Sequence, residues 1–253
     1  MMAAEVKVRV FNTDSTSKEQ IKSALDLSKK LQKCMLKLKG KYMDGQGVDY
    51  EKLRSNIYNA LTIHGLAEQK ELPSSILDIQ QFWKTTAYNI GGHVFCCDDI
   101  EHGILRGNRG HPASRVPPFK EKDPRLKYIC KSLDPRIHFA LVCGAVSCPV
   151  INVYTAENID TALDSATRNF CKQEVSMFTE VDEIWMSKIF DWYNEDFGRN
   201  DVEVIKWTIP FLEKKIQDRA WVLIFKIENL GRVQVKYNEY DWRLNRPVNL
   251  NEL

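Results

Sequence analysis

The chain of 253 residues has no long apolar run and no excess of charge of one sign. No stretch approaches the roughly 18 apolar residues that a membrane span requires, and the N-terminus has no apolar signal-peptide core. Its 36 Lys and Arg against 34 Asp and Glu leave a formal charge of +2, and the basic residues form no blocks. The pattern therefore predicts no membrane span, indicates neither nucleic acid nor an acidic membrane as a partner, and favours a soluble, cytoplasmic protein.

Paired Cys-x-x-Cys spacing is also absent, although the chain has seven cysteines. An odd, irregular set in a chain long enough to fold without cross-links argues against a disulfide framework and favours free thiols. A zinc site is the competing interpretation, because two histidines and two cysteines crowd residues 93–102 and Cys143 lies near Cys148. Without the paired spacing, we expect no metal site and no cofactor.

Internal repeats and low-complexity segments are absent too, and 43% hydrophobic residues can supply a substantial core. Residues 15–39 predict an amphipathic helix, so we divide the chain into an N-terminal amphipathic helical extension at 1–40 and a globular domain at 41–253. Apolar spacing and capping residues predict further helices at 50–66, 76–87, 98–106, 155–172, 184–197 and 202–216, the last of them kinked or divided at Pro210.

Strands are predicted in fewer places. Residues 137–142 (IHFALV) are apolar on both faces, which predicts a central buried strand with Phe139 and Leu141 in the core. A strand and turn at 88–95 and a pair of strands at 221–230 and 233–242 complete the set. The sequence therefore predicts an α+β fold, a mostly helical single domain around a small β-sheet.

The candidate chemistry lies in the run from residue 133 to 151. It leads from the predicted strand through Cys143 and a glycine-containing turn to Cys148. Such a turn can expose a thiol at a sheet edge, whereas the alternative for each cysteine is a buried structural thiol. A nucleophilic cysteine also needs a pKa lowered by an imidazole, a cation or a helix N-terminus.

Two histidines and an arginine are candidate neighbours of the thiols. His102 is the better base, because Asp98 and Glu101 predict a capping box and the helix dipole would keep the imidazole neutral. His138 lies in the predicted strand and is expected to be a hydrogen-bonded core residue. Arg136 has the alternative of pairing with Asp134 or Glu101, and Glu101 of serving the cap alone.

Six motifs resemble a known family in their order along the chain. They are NIYNALTIH at 56–64, GG at 91–92, DIEHGILR at 99–106, DPRIHFALVCGAVSCP at 134–149, SKIFDWYNEDFG at 187–198 and YDWRLN at 240–245. Together they span most of residues 41–245, and the chain is similar to the domain-of-unknown-function family 547 (DUF547). The resemblance implies no established reaction.

The sequence departs from that family at one junction. In members with a segment resembling GVDYEKLRS, here residues 47–55, some tens of residues precede the NIYNALTIH helix. Here the two are fused at Ser55-Asn56, so we expect that a segment is missing at this point.

Two functions fit these observations. The first is a non-catalytic regulatory or protein-interaction module, in which tryptophan-rich helices bind a protein partner while the cysteines only pack. The tryptophans concerned are Trp185, Trp192 and Trp207.

The second function is a cysteine-dependent hydrolase or acyl transferase, with papain-like logic and general architecture. Cys148 or Cys143 attacks an acyl or thioester carbon. His102 acts as the base, and Asp241 or Asn59 orients the imidazole. The candidate binding residues are Glu101, Arg136 and His138. We predict that the polar motif residues converge in space: Asn59, Glu101, His102, Arg136, Cys143 and Cys148.

Overall fold

The computed structural model describes residues 8–11, 54–155 and 157–245. The predicted helix at 15–39 lies outside these ranges, as does most of the predicted extension at 1–40. The chain divides into two compact units. The first unit comprises Met1–Asp134, Leu141–Ile159 and Trp242–Leu253, and the second comprises Pro135–Ala140 and Asp160–Asp241.

The described residues form helices of three kinds and six strands. The α-helices are α1 (Arg54–Ala67), α2 (Phe82–Thr85), α3 (Ile159–Glu174), α4 (Lys188–Trp192), α5 (Asn194–Phe197), α6 (Asp201–Thr208) and α7 (Lys214–Leu230). The strands are β1 (Arg9–Val10), β2 (Thr86–Ile90), β3 (His93–Cys96), β4 (Ser176–Phe178), β5 (Glu183–Ser187) and β6 (Gln234–Asn238). Asp99–Leu105 is a π-helix, and short 3-10 helices are Ile76–Asp78, Pro124–Tyr128, Pro135–Phe139 and Ile209–Phe211.

The first unit contains a three-stranded sheet with the order β1-β2-β3. β1 runs parallel to β2, and β2 forms an antiparallel hairpin with β3. Gly91 and Gly92 make its turn with φ of +59° and +85°, values that glycine adopts without strain. The strand and turn predicted at 88–95 are therefore confirmed.

The second unit contains a sheet with the order β4-β5-β6, in which β4 and β5 are antiparallel and β5 and β6 parallel. Its core includes a cluster of aromatic rings among aliphatic side chains. The ring of Phe139 lies 4.8 Å from that of Phe170, 5.6 Å from that of Phe190 and 5.8 Å from that of Phe197, between centroids. Each of these separations suits offset ring packing, so Phe139 sits at the centre of this core.

The predicted central strand at 137–142 is wrong. The 3-10 helix Pro135–Phe139 occupies its first half, and residues 141–143 have no regular structure. Phe139 and Leu141 are buried, as predicted. The run is apolar because it is buried, and a short helical turn meets that requirement as well as a strand does. Pro135 favours the turn, since its fixed φ suits the first residue of a helix.

The predicted strand at 221–230 is also wrong, because these residues form the second half of α7. Leu223 and Ile224 are buried, whereas Trp221, Val222 and Phe225 are exposed. The aromatic and β-branched residues favour a strand, but burial at helical spacing is what the tertiary structure uses. The strand predicted at 233–242 is confirmed in part by β6.

The fold is α+β, as predicted, with one small sheet in each unit in place of the single small sheet expected. The helix predicted at 155–172 is present as α3, whereas the segment 202–216 is divided at Pro210: α6 ends at Thr208, a 3-10 turn follows, and α7 begins at Lys214. Among the described helices, none has both the length and the apolar character needed to cross a membrane. A papain-like general architecture stays a prediction.

Candidate thiol site

Cys143 and Cys148 lie at the two ends of a tight turn in the first unit. The N–H of Cys148 donates to the carbonyl of Ala145 at 3.1 Å, which closes the turn. Gly144 has a φ of +94°, and a Cβ at this position would meet Leu66 Cδ1 at 2.9 Å. Glycine suits both this backbone conformation and the small space. The sequence CGAVSC therefore folds the second cysteine back onto the first.

The two sulfurs are in contact. Their Sγ atoms are 2.8 Å apart, and the backbone N–H of Cys143 donates to Cys148 Sγ at 3.1 Å. A covalent disulfide has an S–S length of about 2.05 Å, and the six described cysteines are free thiols. Both side chains of the pair are half-buried. Because the amide of Cys143 donates to Cys148, and its thiol can donate as well, Cys148 is the sulfur better placed to carry negative charge.

Two buried asparagines of α1 hold the chain on either side of the turn. Asn59 Oδ1 accepts the N–H of Val142 at 2.8 Å, one residue before Cys143. Asn56 bonds both backbone groups of Tyr154, since its Oδ1 accepts the N–H at 3.0 Å and its Nδ2 donates to the carbonyl. Three residues apart, they share one helix face. We call Asn56 and Asn59 the asparagine clasp; through it Asn59, a predicted site residue, positions the backbone beside Cys143.

The segment 242–245 also pairs with the turn. The N–H of Val146 donates to the carbonyl of Arg243 at 2.8 Å, and the N–H of Asn245 donates to the carbonyl of Gly144 at 2.9 Å. The N–H of Leu244 donates to the carbonyl of Ser74, also at 2.9 Å. The end of the YDWRLN motif therefore fixes the cysteine turn within the first unit.

His102 lies in the π-helix Asp99–Leu105 and is almost fully buried. Its Nδ1 is 3.1 Å from Arg106 Nη1 and 4.0 Å from Glu101 Oε1. A guanidinium has donors and no acceptor. Nδ1 therefore accepts from Arg106, and the neutral ring carries its proton on Nε2.

The helix start before His102 differs from the prediction. Asp98 has helical backbone angles and makes no side-chain cap bond, so the capping box of Asp98 and Glu101 is wrong. The reciprocal bonds join Cys96 and Asp99. The N–H of Cys96 donates to the Asp99 carboxylate at 3.0 Å, and the N–H of Asp99 donates to Cys96 Sγ at 3.4 Å. A cysteine thus takes the capping position, which Ser, Thr, Asp or Asn usually fills.

Three other cysteines have thiols whose pKa is raised by burial: Cys96, Cys97 and Cys171. Cys97 and Cys171 are fully buried, and burial raises the pKa of the Cys97 thiol far above its usual range and that of Cys171 to about 12. Burial, followed by the charge of Asp99, also raises the pKa of Cys96. These thiols stay protonated near neutral pH, and a protonated thiol is a poor nucleophile.

Three predicted site residues belong to the second unit: Arg136, His138 and Asp241. Arg136 donates to Asp164 at 2.7 Å and to Asp160 at 3.1 Å, both on α3. His138 Nε2 is 2.9 Å from Asp196 Oδ2, and both side chains are buried. His138 is therefore a hydrogen-bonded core residue, as predicted, although in a 3-10 helix. Convergence of the whole predicted set stays a prediction.

Two parts of the site were not predicted from the sequence: Asn56 and the segment 242–245. The spacing of Asn56 and Asn59 is a usable signal, because two amides three residues apart on a largely apolar helix face need buried polar partners. Segment 242–245 gives no such signal, because its contacts are made by backbone groups. Within residues 8–11, 54–155 and 157–245, no group of three or more His, Cys, Asp or Glu side chains could hold a metal ion.

Comparison with known proteins gives one match. Residues 54–171 match the model of a family described as "Protein of unknown function, DUF547". No curated protein and no solved structure matches the chain. The matched range begins in α1, beside the Ser55-Asn56 junction, and includes the asparagine clasp and both cysteines of the turn.

Proposed function

We propose that this chain, whose residues 54–171 match the DUF547 family model, is a regulatory module that acts by thiol–disulfide exchange at Cys148 and Cys143. One observation carries the proposal. The two half-buried sulfurs are 2.8 Å apart, with a backbone N–H directed at Cys148. A thiolate stabilised by donors beside a second thiol is the arrangement that disulfide exchange requires.

The exchange proceeds in two steps. The Cys148 thiolate attacks one sulfur of a substrate disulfide, a bond forms between these two sulfurs, and the other substrate sulfur leaves as a thiolate that takes up a proton. Cys143 then loses its proton and attacks Cys148 Sγ. The intramolecular disulfide forms, and the second substrate sulfur leaves. The substrate gains two electrons and the cysteine pair loses two.

A hydrolase or acyl transferase that uses His102 as base has less support. His102 would have to accept the thiol proton at Nδ1, where Arg106 already donates at 3.1 Å. Taking up the thiol proton there would require this hydrogen bond to break, because a guanidinium has donors and no acceptor. Disulfide exchange needs a thiolate and no imidazole base.

A purely protein-binding module is the second candidate, because α7 exposes three apolar side chains close together. Trp221 is 51% exposed, Val222 47% and Phe225 62%. Aromatic residues are enriched in protein interfaces. The tryptophans first considered for this function are half-buried: Trp185, Trp192 and Trp207.

Thiol counting across a glutathione redox series tests the exchange. Protein at each potential is trapped with N-ethylmaleimide and weighed intact. We expect the wild type to lose two alkylatable thiols together, and Cys148→Ser and Cys143→Ser to lose neither as an intramolecular pair. Cys130→Ser is the matched control, since it removes a partly exposed cysteine elsewhere in the first unit and should keep the paired loss. Paired loss that persists in both turn variants contradicts the proposal.

A further inference from the structure

A loop of residues 107–119 packs against the π-helix of the first unit. Its glycines and prolines keep it out of regular structure, and residues 113–117 at its tip are exposed. Asn108 clamps its base, because the side chain accepts the N–H of Phe119 and donates to the carbonyl of the same residue, both at 2.9 Å. Phe119 is buried, and a Cβ added at Gly103 of the π-helix would meet its ring at 2.5 Å. We call residues 107–119 the lid loop.

The lid loop contacts a group of buried polar side chains. They are the carboxylate of Glu101, the imidazole of His102 and the guanidinium of Arg106. Arg106 Nη1 donates to the carbonyl of Gly110 at 2.9 Å, in addition to its bond with His102. The ring of His111 meets that of His102 edge-on, with 5.1 Å between the centroids. The closed loop is therefore tied to this polar group at two points.

Both histidines at this contact accept a hydrogen bond at Nδ1. His111 Nδ1 accepts the backbone N–H of Ala113 at 3.0 Å, within the loop, and His102 Nδ1 accepts from Arg106 at 3.1 Å. A neutral imidazole has one acceptor nitrogen, whereas a protonated imidazole has two donors and no acceptor. The closed loop therefore requires both rings to be neutral. Because His111 is exposed and His102 is buried, a proton from solvent reaches His111 first.

We propose that the lid loop is a pH-sensitive lid, which opens when His111 is protonated and uncovers His102 and Arg106. Protonation removes the acceptor of the Ala113 N–H and places a second cation near the guanidinium. Histidine suits this role, since its charge changes in the range of about pH 5 to 8. The lid does not depend on the proposed exchange at the cysteine turn.

The surroundings of His111 favour its neutral form while the loop is closed. Burial lowers the pKa of His111, the carboxylate of Glu101 opposes this effect, and the cations Lys84 of α2 and Arg106 reinforce it. The remaining neighbour, His102, is neutral while it accepts from Arg106. In the open loop, His111 regains an ordinary pKa of about 6.5. Opening therefore binds a proton and becomes more favourable as the pH falls below that value.

Hydrogen–deuterium exchange of the full chain, followed by mass spectrometry, tests the lid. The exchange rate of peptides from residues 107–119 is divided into that of the unfolded chain at the same pH, which gives a protection factor. We expect this factor to fall about tenfold from pH 7.5 to pH 5.5, as the binding of one proton to an ordinary histidine in the open loop predicts. Peptides from α1 should keep their protection over the same range.

Two variants separate the titrating group from the clamp. His111→Asn supplies an amide oxygen that can accept from Ala113 and does not titrate, so the protection factor should stay constant with pH. Asn108→Gly suits the φ of +63° and removes both clamp bonds, so protection should be lower at every pH and keep its pH dependence. His64→Asn is the matched control, because His64 is a partly exposed histidine of the first unit on α1, and should keep the wild-type fall.

The outcomes decide the proposal. It is supported by a protection factor that falls with pH in the wild type and in His64→Asn but is constant in His111→Asn. Constant protection in the wild type overturns it, and so does a tenfold fall that persists in His111→Asn. A parallel loss of protection in the α1 peptides would show unfolding of the whole unit and also overturns the lid.

Discussion

Two pairs of cysteines in the first unit place a sulfur beside a backbone N–H, and they differ in what else surrounds that sulfur. At the helix start, Cys96 Sγ accepts the N–H of Asp99, but the carboxylate of the same residue lies beside it. Burial and that charge raise the pKa of Cys96. In the turn, Cys148 Sγ accepts an N–H from Cys143, which also contributes a second sulfur. A hydrogen-bond donor therefore does not by itself make a thiol reactive, because burial and neighbouring charge can outweigh it.

The largest expected difference between the two pairs is in alkylation. With iodoacetamide at pH 7.5, we expect Cys148 to react at least 100-fold faster than Cys97, on the order of the difference between an exposed thiolate and a buried thiol. Burial keeps the Cys97 thiol protonated and away from solvent. Peptide mass spectrometry of a time course measures both rates. Cys97 should become reactive once guanidinium unfolds the chain. Equal rates in the native protein would remove the distinction between the pairs.

Glycine substitution tests whether packing fixes the cysteine turn. We expect Gly144→Ala to lower the free energy of unfolding by about 2–3 kcal/mol, because alanine adds backbone strain and its Cβ meets Leu66. Gly91→Ala is the control at a φ of +59° with nothing within 4 Å, and should cost about 1 kcal/mol. Urea denaturation measures both. Similar costs for the two variants would show that the space beside Leu66 admits an alanine Cβ and that close packing at Gly144 does not fix the turn.

The clasp should have a measurable but smaller effect. Asn59→Ala leaves the partly buried N–H of Val142 without this acceptor, so we expect a loss of about 1–2 kcal/mol and slower closure of the Cys143–Cys148 disulfide. Asn89→Ala removes a comparable bond to Gly92 at an exposed hairpin turn and should cost less. Thermal unfolding and thiol counting are the measurements. An unchanged closure rate would mean that the clasp does not position the turn.

The smallest effect is expected at the helix start, where the carboxylate of Asp98 lies next to Cys97 in the sequence and makes stability depend on pH. Burial, followed by the charge of Glu101, raises the pKa of Asp98 to about 6. The folded chain then binds a proton that the unfolded chain releases between about pH 4 and 6, so stability falls as pH rises through this window. Asp98→Asn should flatten that fall and gain about 1 kcal/mol at pH 7. Urea midpoints from pH 4 to 7 measure it, and a rise in wild-type stability across the window would reverse the sign.

Local rules predicted much of the fold and part of the site. Helical spacing located α3 and α6, the glycines located the β2–β3 hairpin, and the glycine-containing turn singled out Cys143 and Cys148. The central strand failed because an apolar run reports burial, and Phe139 is buried among aromatic rings in a helical turn. Periodicity could not separate the two possibilities in so short a segment.

The rest of the site was beyond local rules because its contacts join distant parts of the chain. The bond from Asn59 to Val142 spans 83 residues, and that from Asn56 to Tyr154 spans 98. A neutral imidazole at His102 was predicted from the helix dipole, but Arg106, one turn along, decides which nitrogen carries the proton. Such choices depend on a neighbour's hydrogen-bonding capacity, which residue spacing does not encode.

The asparagine clasp also sets the effective concentration of one thiol at the other. In a flexible chain, groups joined by a short linker meet at millimolar effective concentration, whereas rigid positioning can raise this by many orders of magnitude. With Val142 and Tyr154 tied to one helix face, Cys143 competes for Cys148 far better than any dissolved thiol can. In the proposed exchange, a mixed disulfide at Cys148 would then be short-lived, and the bound partner would be released as soon as it is reduced. Loosening the clasp would lengthen that lifetime and turn a site that exchanges its partners into one that retains them.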